Sequence, residues 1–182
     1  SLTEGLVGWW KFDETEGNIA SDSSGNGNDG NLTNGPTWTD GKIGGALSFD
    51  DVDDYVDLGN ILPASYTKVV WFYKKVSGIG NFLSFEGSHA LWVGADGNLK
   101  VQHVSNNTVD NRSSNQVCPL SKWAHLTATY NNTSERMSLF LDGELILEEE
   151  AFPNIGANQG LFVGKHSSTE THFGGLLDDI RI

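Results

Sequence analysis

The sequence of 182 residues has very little cysteine and few positive charges. Its single cysteine, Cys118, can form no disulfide within the chain and lacks the partner cysteines of a zinc site. Lys and Arg together number 11 against 24 for Asp and Glu, which gives a formal net charge of −13. Phosphate backbones and anionic membrane surfaces repel so acidic a chain. We therefore exclude nucleic acid as the main partner.

Long hydrophobic runs are also missing. No apolar run approaches the ~20 residues of a membrane-spanning helix, so we expect no membrane insertion. No basic region followed by an apolar stretch opens the chain, so any secretion signal would lie outside it. The chain starts just before one predicted strand and ends within another. We expect residues 1–182 to be a single domain, excised from a larger multidomain protein that is secreted or displayed on a cell surface.

Glycine and aromatic residues are abundant, with 22 Gly, 6 Trp and 9 Phe, and hydrophobic residues alternate with a period of two. Leu91 and Val93 alternate up to the turn-like residues 95–98, and Met137, Leu139 and Leu141 alternate up to another turn. Helical spacing is hard to find. Short alternating runs separated by Gly, Asn and Asp turns predict an all-β sandwich or barrel, with almost no helix.

The segment Asp22–Gly30 places oxygen-bearing side chains at alternate positions between glycines. Ca²⁺ prefers roughly six to eight such oxygen ligands. The segment is not an EF-hand loop. The twelfth position counted from Asp22 holds Thr33 instead of Glu, and no amphipathic helix flanks the segment. A calcium site here needs a further carboxylate, for which Asp178 and Asp179 are candidates. The alternative is an ordinary Asn-Gly turn with solvated acids.

Several segments carry a resemblance to a known family. They are GLVGWWKFDE at 5–14, DSSGNGNDGNL at 22–32, GKIGGALSFDDVDDYVDLG at 41–59, KWAHLTATY at 122–130, LFLDGELI at 139–146 and GGLLDDIRI at 174–182. Together they resemble laminin-G-like jelly-roll domains of the bacterial type, in the concanavalin A-like lectin/glucanase superfamily. The family commonly has Gly where this chain has Asp51, and Asp tolerates the left-handed conformation of such a turn.

The resemblance implies a fold and a metal site. The fold is a two-sheet antiparallel jelly-roll β-sandwich, concanavalin A-like, with one concave sheet and with its first and last strands paired. That pairing is expected to bring the Asp22 loop next to Asp178. The resemblance further implies a structural Ca²⁺ held by the side chains of Asp22 and Asn26, the carbonyl of Gly30 and the carboxylate of Asp178.

The same superfamily contains hydrolases and lyases, so catalysis is tested residue by residue. Glucanases of this fold resemble one another in an E-x-D-x-x-E strand, whose alternate carboxylates act as a pair. The nearest string here, at 144–150, has no Asp at the middle position. Lyase members resemble one another in a Gln-Ile-His strand with an Arg-rich partner strand, and residues 101–104 lack that partner. We therefore expect no enzyme.

Carbohydrate binding is the favoured function, because sugars need aromatic platforms together with polar hydrogen-bonding groups. Tyr73, like Trp71, and Trp92 face away from the predicted core, and His103 and Arg112 lie on neighbouring segments. The alternative for these aromatic side chains is packing under loops. The remaining tryptophans are assigned to packing: Trp9, Trp10, Trp38 and Trp123.

The expected function is thus that of a monomeric, non-catalytic, lectin-like module that binds a polysaccharide or other glycan and is stabilised by calcium. The alternative is an adhesion domain that binds a protein partner, or a spacer that binds no sugar.

Overall fold

The computed structural model describes residues 4–61, 63–85, 88–105, 108–151, 160–166 and 171–182. Over these ranges the chain forms strands and no helix, and therefore no helix that could cross a membrane. The strands are β1 Trp9–Trp10, β2 Ile19–Ala20, β3 Gly30–Thr33, β4 Thr37–Asp40, β5 Gly45–Asp50, β6 Tyr55–Asp57, β7 Tyr66–Lys74, β8 Gly80–Phe85, β9 Ser88–Val93, β10 Asn98–Ser105, β11 Thr108–Val117, β12 Trp123–Asn131, β13 Arg136–Leu141, β14 Glu144–Glu150, β15 Leu161–Val163, β16 Lys165–His166, β17 Thr171–His172 and β18 Gly174–Arg181.

Two large antiparallel sheets make up the molecule. Sheet A has the order β14-β13-β12-β7-β18-β5-β4, with β1 also paired to β18. Sheet B has the order β11-β10-β9-β8-β15-β6-β3-β2, and β16 and β17 form a small separate ribbon. Each sheet combines pairs of consecutive strands with pairs that are distant in sequence, such as β7-β18 and β8-β15, as in a jelly roll. The predicted two-sheet β-sandwich is confirmed.

The core lies between the sheets, and period-two alternation decides which side chains enter it. On β7, Val70 and Phe72 are fully buried, while Trp71 and Tyr73 on the outer face are only half-buried. Phe72 meets Phe82 of sheet B with ring centroids 4.8 Å apart. The alternation predicted for this strand is therefore confirmed.

The two ends of the chain are joined by hydrogen bonds. β1 pairs antiparallel with β18, with Trp10 opposite Ile180. Beyond this pair, Val7 N donates to Ile182 O at 2.7 Å and Ile182 N donates to Gly8 O at 3.0 Å. This confirms the pairing of first and last strands that the resemblance implied.

Two turns confirm what their sequences predicted. Asp142 and Gly143 join β13 to β14 with φ values of 51° and 83°, as a tight two-residue hairpin turn requires. Asp51 adopts a φ of 70°, the left-handed conformation expected where the family commonly has Gly.

Cys118 is buried, as a small hydrophobic residue would be.

Candidate functional site

The Asp22 carboxylate organises the loop between β2 and β3. Its Oδ1 accepts hydrogen bonds from Trp9 N at 2.9 Å and Ser24 N at 2.8 Å. Its Oδ2 accepts from Ser24 Oγ at 2.8 Å and Asn28 N at 3.0 Å. Burial acts to raise the pKa of Asp22, but these hydrogen bonds together outweigh it and leave that pKa below its ordinary value.

The same loop is tied to the segment that precedes β1. Asn26 Nδ2 donates to Leu6 O at 2.8 Å and to Val7 O at 3.1 Å, and Asn28 Nδ2 donates to Val7 O at 2.7 Å. Gly30 lies just beyond the loop, on β3, opposite Ala20. The Asp22 carboxylate and the carbonyl oxygens of Leu6 and Val7 therefore lie around this loop, and both are ligand types that Ca²⁺ uses.

Asp178 is fully buried and supports a different turn. Its Oδ2 accepts hydrogen bonds from Lys42 N at 2.8 Å and Ile43 N at 2.9 Å, while its buried Oδ1 has no hydrogen-bond partner in the part of the chain that the structure describes. Burial raises the pKa of Asp178 to about 6 in spite of these two hydrogen bonds. Within the described ranges, no hydrogen bond joins Asp178 to the Asp22 loop, so the four-residue calcium site stays a prediction.

A second group of acids lies in the turn after β5. Ligand atoms of Asp50, Asp53 and Asp54 lie within 4.8 Å of one another. Asp50 Oδ1 accepts from Val52 N at 2.9 Å, and Asp54 Oδ2 accepts from Asp50 N at 3.0 Å. These hydrogen bonds shape the turn around Asp51, so the cluster has a structural explanation.

The residues predicted to bind sugar are dispersed over the molecule. Tyr73 lies on the outer face of sheet A. Trp92 lies on the outer face of sheet B, because its neighbours Leu91 and Val93 point into the core. The alternation of each strand was therefore predicted correctly, but it does not tell which of the two sheets the strand joins.

His103 and Arg112 lie elsewhere again. His103 is fully buried between the sheets, with its ring stacked on Tyr130 at 4.1 Å, so a sugar on the surface cannot touch it. Arg112 is on the edge strand β11, where it donates to Glu150 O at 3.2 Å and lies 3.5 Å from the Glu149 carboxylate. The structure does not bring the four predicted residues together on one surface.

A cluster of rings occupies the outer face of sheet A. We call Trp71 and Tyr73 of β7 and Trp123 and His125 of β12 the aromatic patch. Tyr73 lies opposite Trp123, with ring centroids 5.8 Å apart, and Trp71 lies opposite His125, at 4.9 Å. All of these side chains are half-buried. Burial lowers the pKa of His125, against the opposing charge of Asp142, which favours a neutral imidazole.

Cations border this patch. Lys42 Nζ lies 5.2 Å from the centroid of the Trp71 ring. Beyond it, the Trp9 ring contacts Lys11 at 4.4 Å and the Arg181 guanidinium at 4.6 Å. Aromatic rings with cationic side chains beside them thus occur both in the patch and at Trp9.

A cavity of about 580 Å³ opens at the end of the same face. We call it the end cavity. It is lined by Val69 and Thr129, which continue the outward rows of β7 and β12, by Asn131 and Arg181, and by the edge of the buried Tyr66. The Tyr66 hydroxyl is buried and has no hydrogen-bond partner among the described residues.

The family model Laminin_G_3, described as the Concanavalin A-like lectin/glucanases superfamily, matches residues 50–182. The chain belongs to this family. The resemblance carried by the sequence segments is therefore confirmed. No curated protein matches the sequence.

Several solved structures share the fold. Domain 4 of AbnA, a GH43 extracellular arabinanase from Geobacillus stearothermophilus solved with arabinotriose, is 24% identical, with a TM-score of 0.78 over 97% of this chain and 90% of that chain. The CBM40 of a Ruminococcus gnavus sialidase, bound to α2,3-sialyllactose, is 14% identical, with a TM-score of 0.62 over 75% and 87%. The binding domain of Paraclostridial mosquitocidal protein 1 is 15% identical, with a TM-score of 0.74 over 100% and 49%. At such identities the likeness establishes the fold alone.

Proposed function

We propose that this chain is a non-catalytic carbohydrate-binding module and that the aromatic patch is its binding surface. The observation that carries the proposal is the placement of four rings side by side on the solvent side of sheet A, where the core does not need them. The apolar C–H faces of sugars pack on such rings, and nearby polar groups bind their hydroxyls.

The spacing of the patch suits a chain of sugars. Residues two apart on one strand face are about 7 Å apart, which is on the order of the length of one sugar unit. The Tyr73–Trp123 pair and the Trp71–His125 pair therefore offer two consecutive platforms. The neutral imidazole of His125 provides a donor and an acceptor, and Lys42 provides further donors.

The comparisons support glycan binding without naming the sugar. Structures of the same fold were solved with arabinotriose and with sialyllactose, and the arabinanase is described as extracellular. We extend to this chain a glycan as partner and an extracellular location. The identity of the sugar has to come from a binding screen.

The acids of β14 support a non-catalytic role. Glu148 lies 3.2 Å from Arg136, and Glu149 lies 3.5 Å from Arg112. Exposed carboxylates paired with arginine in this way are typical of a solvated strand. A glycosidase instead needs two carboxyl groups that flank a bound glycosidic bond.

Calcium is a second part of the proposal. We propose a structural Ca²⁺ between the Asp22 loop and Asp178, held by the Asp22 and Asn26 side chains, the Gly30 carbonyl and the Asp178 carboxylate. Two observations support it: the buried Oδ1 of Asp178 has no hydrogen-bond partner among the described residues, and the carbonyl oxygens of Leu6 and Val7 lie beside the loop. The ion would stabilise the joined ends of the chain.

A glycan array followed by affinity measurement tests the binding surface. Trp71→Ala should weaken binding to the best glycan, whereas the matched control Trp92→Ala, on sheet B, should leave it unchanged. The reverse result would move the site to sheet B. If no glycan binds while a protein partner is captured, the adhesion alternative replaces the proposal.

A further inference from the structure

We infer that Phe140 and Leu145 form a third sugar platform beside the aromatic patch, so that the module takes a run of at least three consecutive sugar units. We call these two side chains the flanking pair. The inference rests on the proposed function and adds to it the length of the bound segment and its direction on the sheet.

The flanking pair lies on the same face of sheet A as the patch. Phe140 of β13 is opposite Thr127 of β12, and Thr127 belongs to the outward row of His125. Leu145 of β14 is opposite Phe140. Residues directly opposite each other in an antiparallel pair share a face of the sheet. Leu139, the residue before Phe140, is fully buried, as the inner position beside an outward one should be.

Both side chains of the pair are open to solvent. Leu145 is 54% exposed, and Phe140 is half-buried. The core does not need them, because Leu139, Ile146 and Leu147 of the same two strands pack against it. A sugar that covers the pair therefore removes apolar surface from water, as it does on the patch.

The spacing of the flanking pair continues that of the patch. The Tyr73–Trp123 row and the Trp71–His125 row are two residues apart along the strands, which is about 7 Å. Phe140 is the diagonal neighbour of His125 across β12 and β13, and such neighbours are about 7–8 Å apart. The three platforms therefore follow one another at steps of about one sugar unit.

The third platform determines the direction of the bound chain. Straight along β7 and β12, the next outward residues are Val69 and Thr127, which carry no ring. The next ring lies one strand aside, at Phe140 on β13. A chain on all three platforms therefore crosses the strands obliquely, from β7 toward β14. Since Val69 lines the end cavity, this path leaves that cavity to one side.

Polar groups lie along this path. Thr127, half-buried and opposite Phe140, carries a hydroxyl that can donate and accept. Asp142 is exposed in the turn beside His125, where its Oδ1 accepts a hydrogen bond from His125 N at 2.8 Å. A carboxylate accepts several hydrogen bonds, and sugar hydroxyls can donate them. Apolar platforms and hydroxyl-binding groups are thus present together.

Oligosaccharides of increasing length test the inference. The probes are α-1,5-arabino-, β-1,4-xylo-, β-1,4-gluco-, β-1,4-manno- and β-1,4-galacto-oligosaccharides of one to six units, titrated into the full chain by calorimetry. In at least one series the trisaccharide should bind about tenfold more tightly than the disaccharide. Phe140→Ala should remove that gain and leave the affinity for the disaccharide unchanged.

Two variants serve as controls. Phe140→Tyr keeps the ring and should keep the gain, and so should Phe162→Ala, which removes a half-buried ring from the outer face of sheet B. A wild type that binds disaccharide and trisaccharide equally, or that binds none of the five series, overturns the inference. A gain that persists in folded Phe140→Ala overturns it as well. Glycan binding that depends on Trp71 but is indifferent to Phe140→Ala leaves the proposed function intact and removes the third platform alone.

Discussion

Replacing Lys68 should stabilise the protein in a way that depends on pH. Lys68 is only 1% exposed and points from β7 into the core. Its Nζ donates to the carbonyl of His89 and lies 4.9 Å from the Tyr66 ring centroid. Burial lowers the pKa of Lys68 from 10.5 to about 7. The charged lysine is unfavourable in this site. Lys68 therefore lowers the free energy of unfolding at every pH at which it is protonated in the unfolded chain.

The size of the effect follows from the pKa difference. Below pH 7 the lysine is protonated in both states, and the penalty on folding is full, about 5 kcal/mol. Between pH 7 and 10.5 the unfolded chain binds more protons than the folded chain, so stability rises with pH, and above pH 10.5 the penalty is gone. Lys68→Met removes the penalty together with a hydrogen bond worth about 1 kcal/mol. The variant should therefore be more stable by about 4 kcal/mol at pH 6.

Urea unfolding of both proteins at pH 6, 8 and 10 measures this difference. The advantage of the variant should shrink as the pH rises above 7 and vanish near pH 10, and above pH 10.5 the variant should be less stable by the hydrogen bond of about 1 kcal/mol that it has lost. Lys75→Met, just past the end of β7 and exposed, serves as the control and should change stability little at any pH. A difference that stays constant with pH, or a wild type that is more stable at pH 6, would refute the reasoning.

Three further predictions concern the rest of the molecule. Calcium at a hundredfold excess over Kd should raise the Tm by about 5–10 °C, and Asp178→Asn should reduce the rise; equal Tm values in calcium and in chelator would remove the calcium proposal. Gly45→Ala should cost about 2–3 kcal/mol in urea unfolding, since its Cβ would lie 2.2 Å from Phe12 O; unchanged stability would contradict that contact. Burial raises the pKa of Cys118 to about 12, so a thiol reagent at pH 8 should label it far more slowly in the native than in the unfolded protein.

Local patterns in the sequence predicted much of the fold. Alternation placed Val70 and Phe72 inside and Trp71 outside, because the faces of a strand follow from its own residues. The turn at residues 142–143 was likewise predicted from its own two residues. The pairing of the chain ends came from the family resemblance, since no pattern within either strand specifies its partner.

The proposed binding surface was only partly predictable. Tyr73 and Trp71 were placed outward correctly, but Trp123 was assigned to packing. Trp123 joins the aromatic patch because β12 pairs with β7, fifty residues away, and this pairing places Trp123 beside Tyr73. The residues around Trp123 do not specify that pairing. The signal in the sequence was the alternation of residues 123–126, which matches that of β7.

His103 illustrates the opposite error. The alternation of Leu99 and Val101 already placed position 103 on the inner face of β10, and the structure follows that pattern. His103 was predicted to bind sugar at the surface instead, because histidine is polar. Burial here is supported by stacking on Tyr130 and by contact with the His89 ring at 4.6 Å, partners that lie on other strands.

The joined ends also determine how the domain responds to force. Because Val7 and Ile182 are hydrogen-bonded neighbours at the same end of an antiparallel pair, tension applied through the two ends acts across the strands. Such a load is perpendicular to the strands, so the hydrogen bonds between β1 and β18 break one after another instead of bearing the load together. The domain should therefore extend at low force when pulled by its ends, and resist far more when pulled through residues at opposite ends of β7.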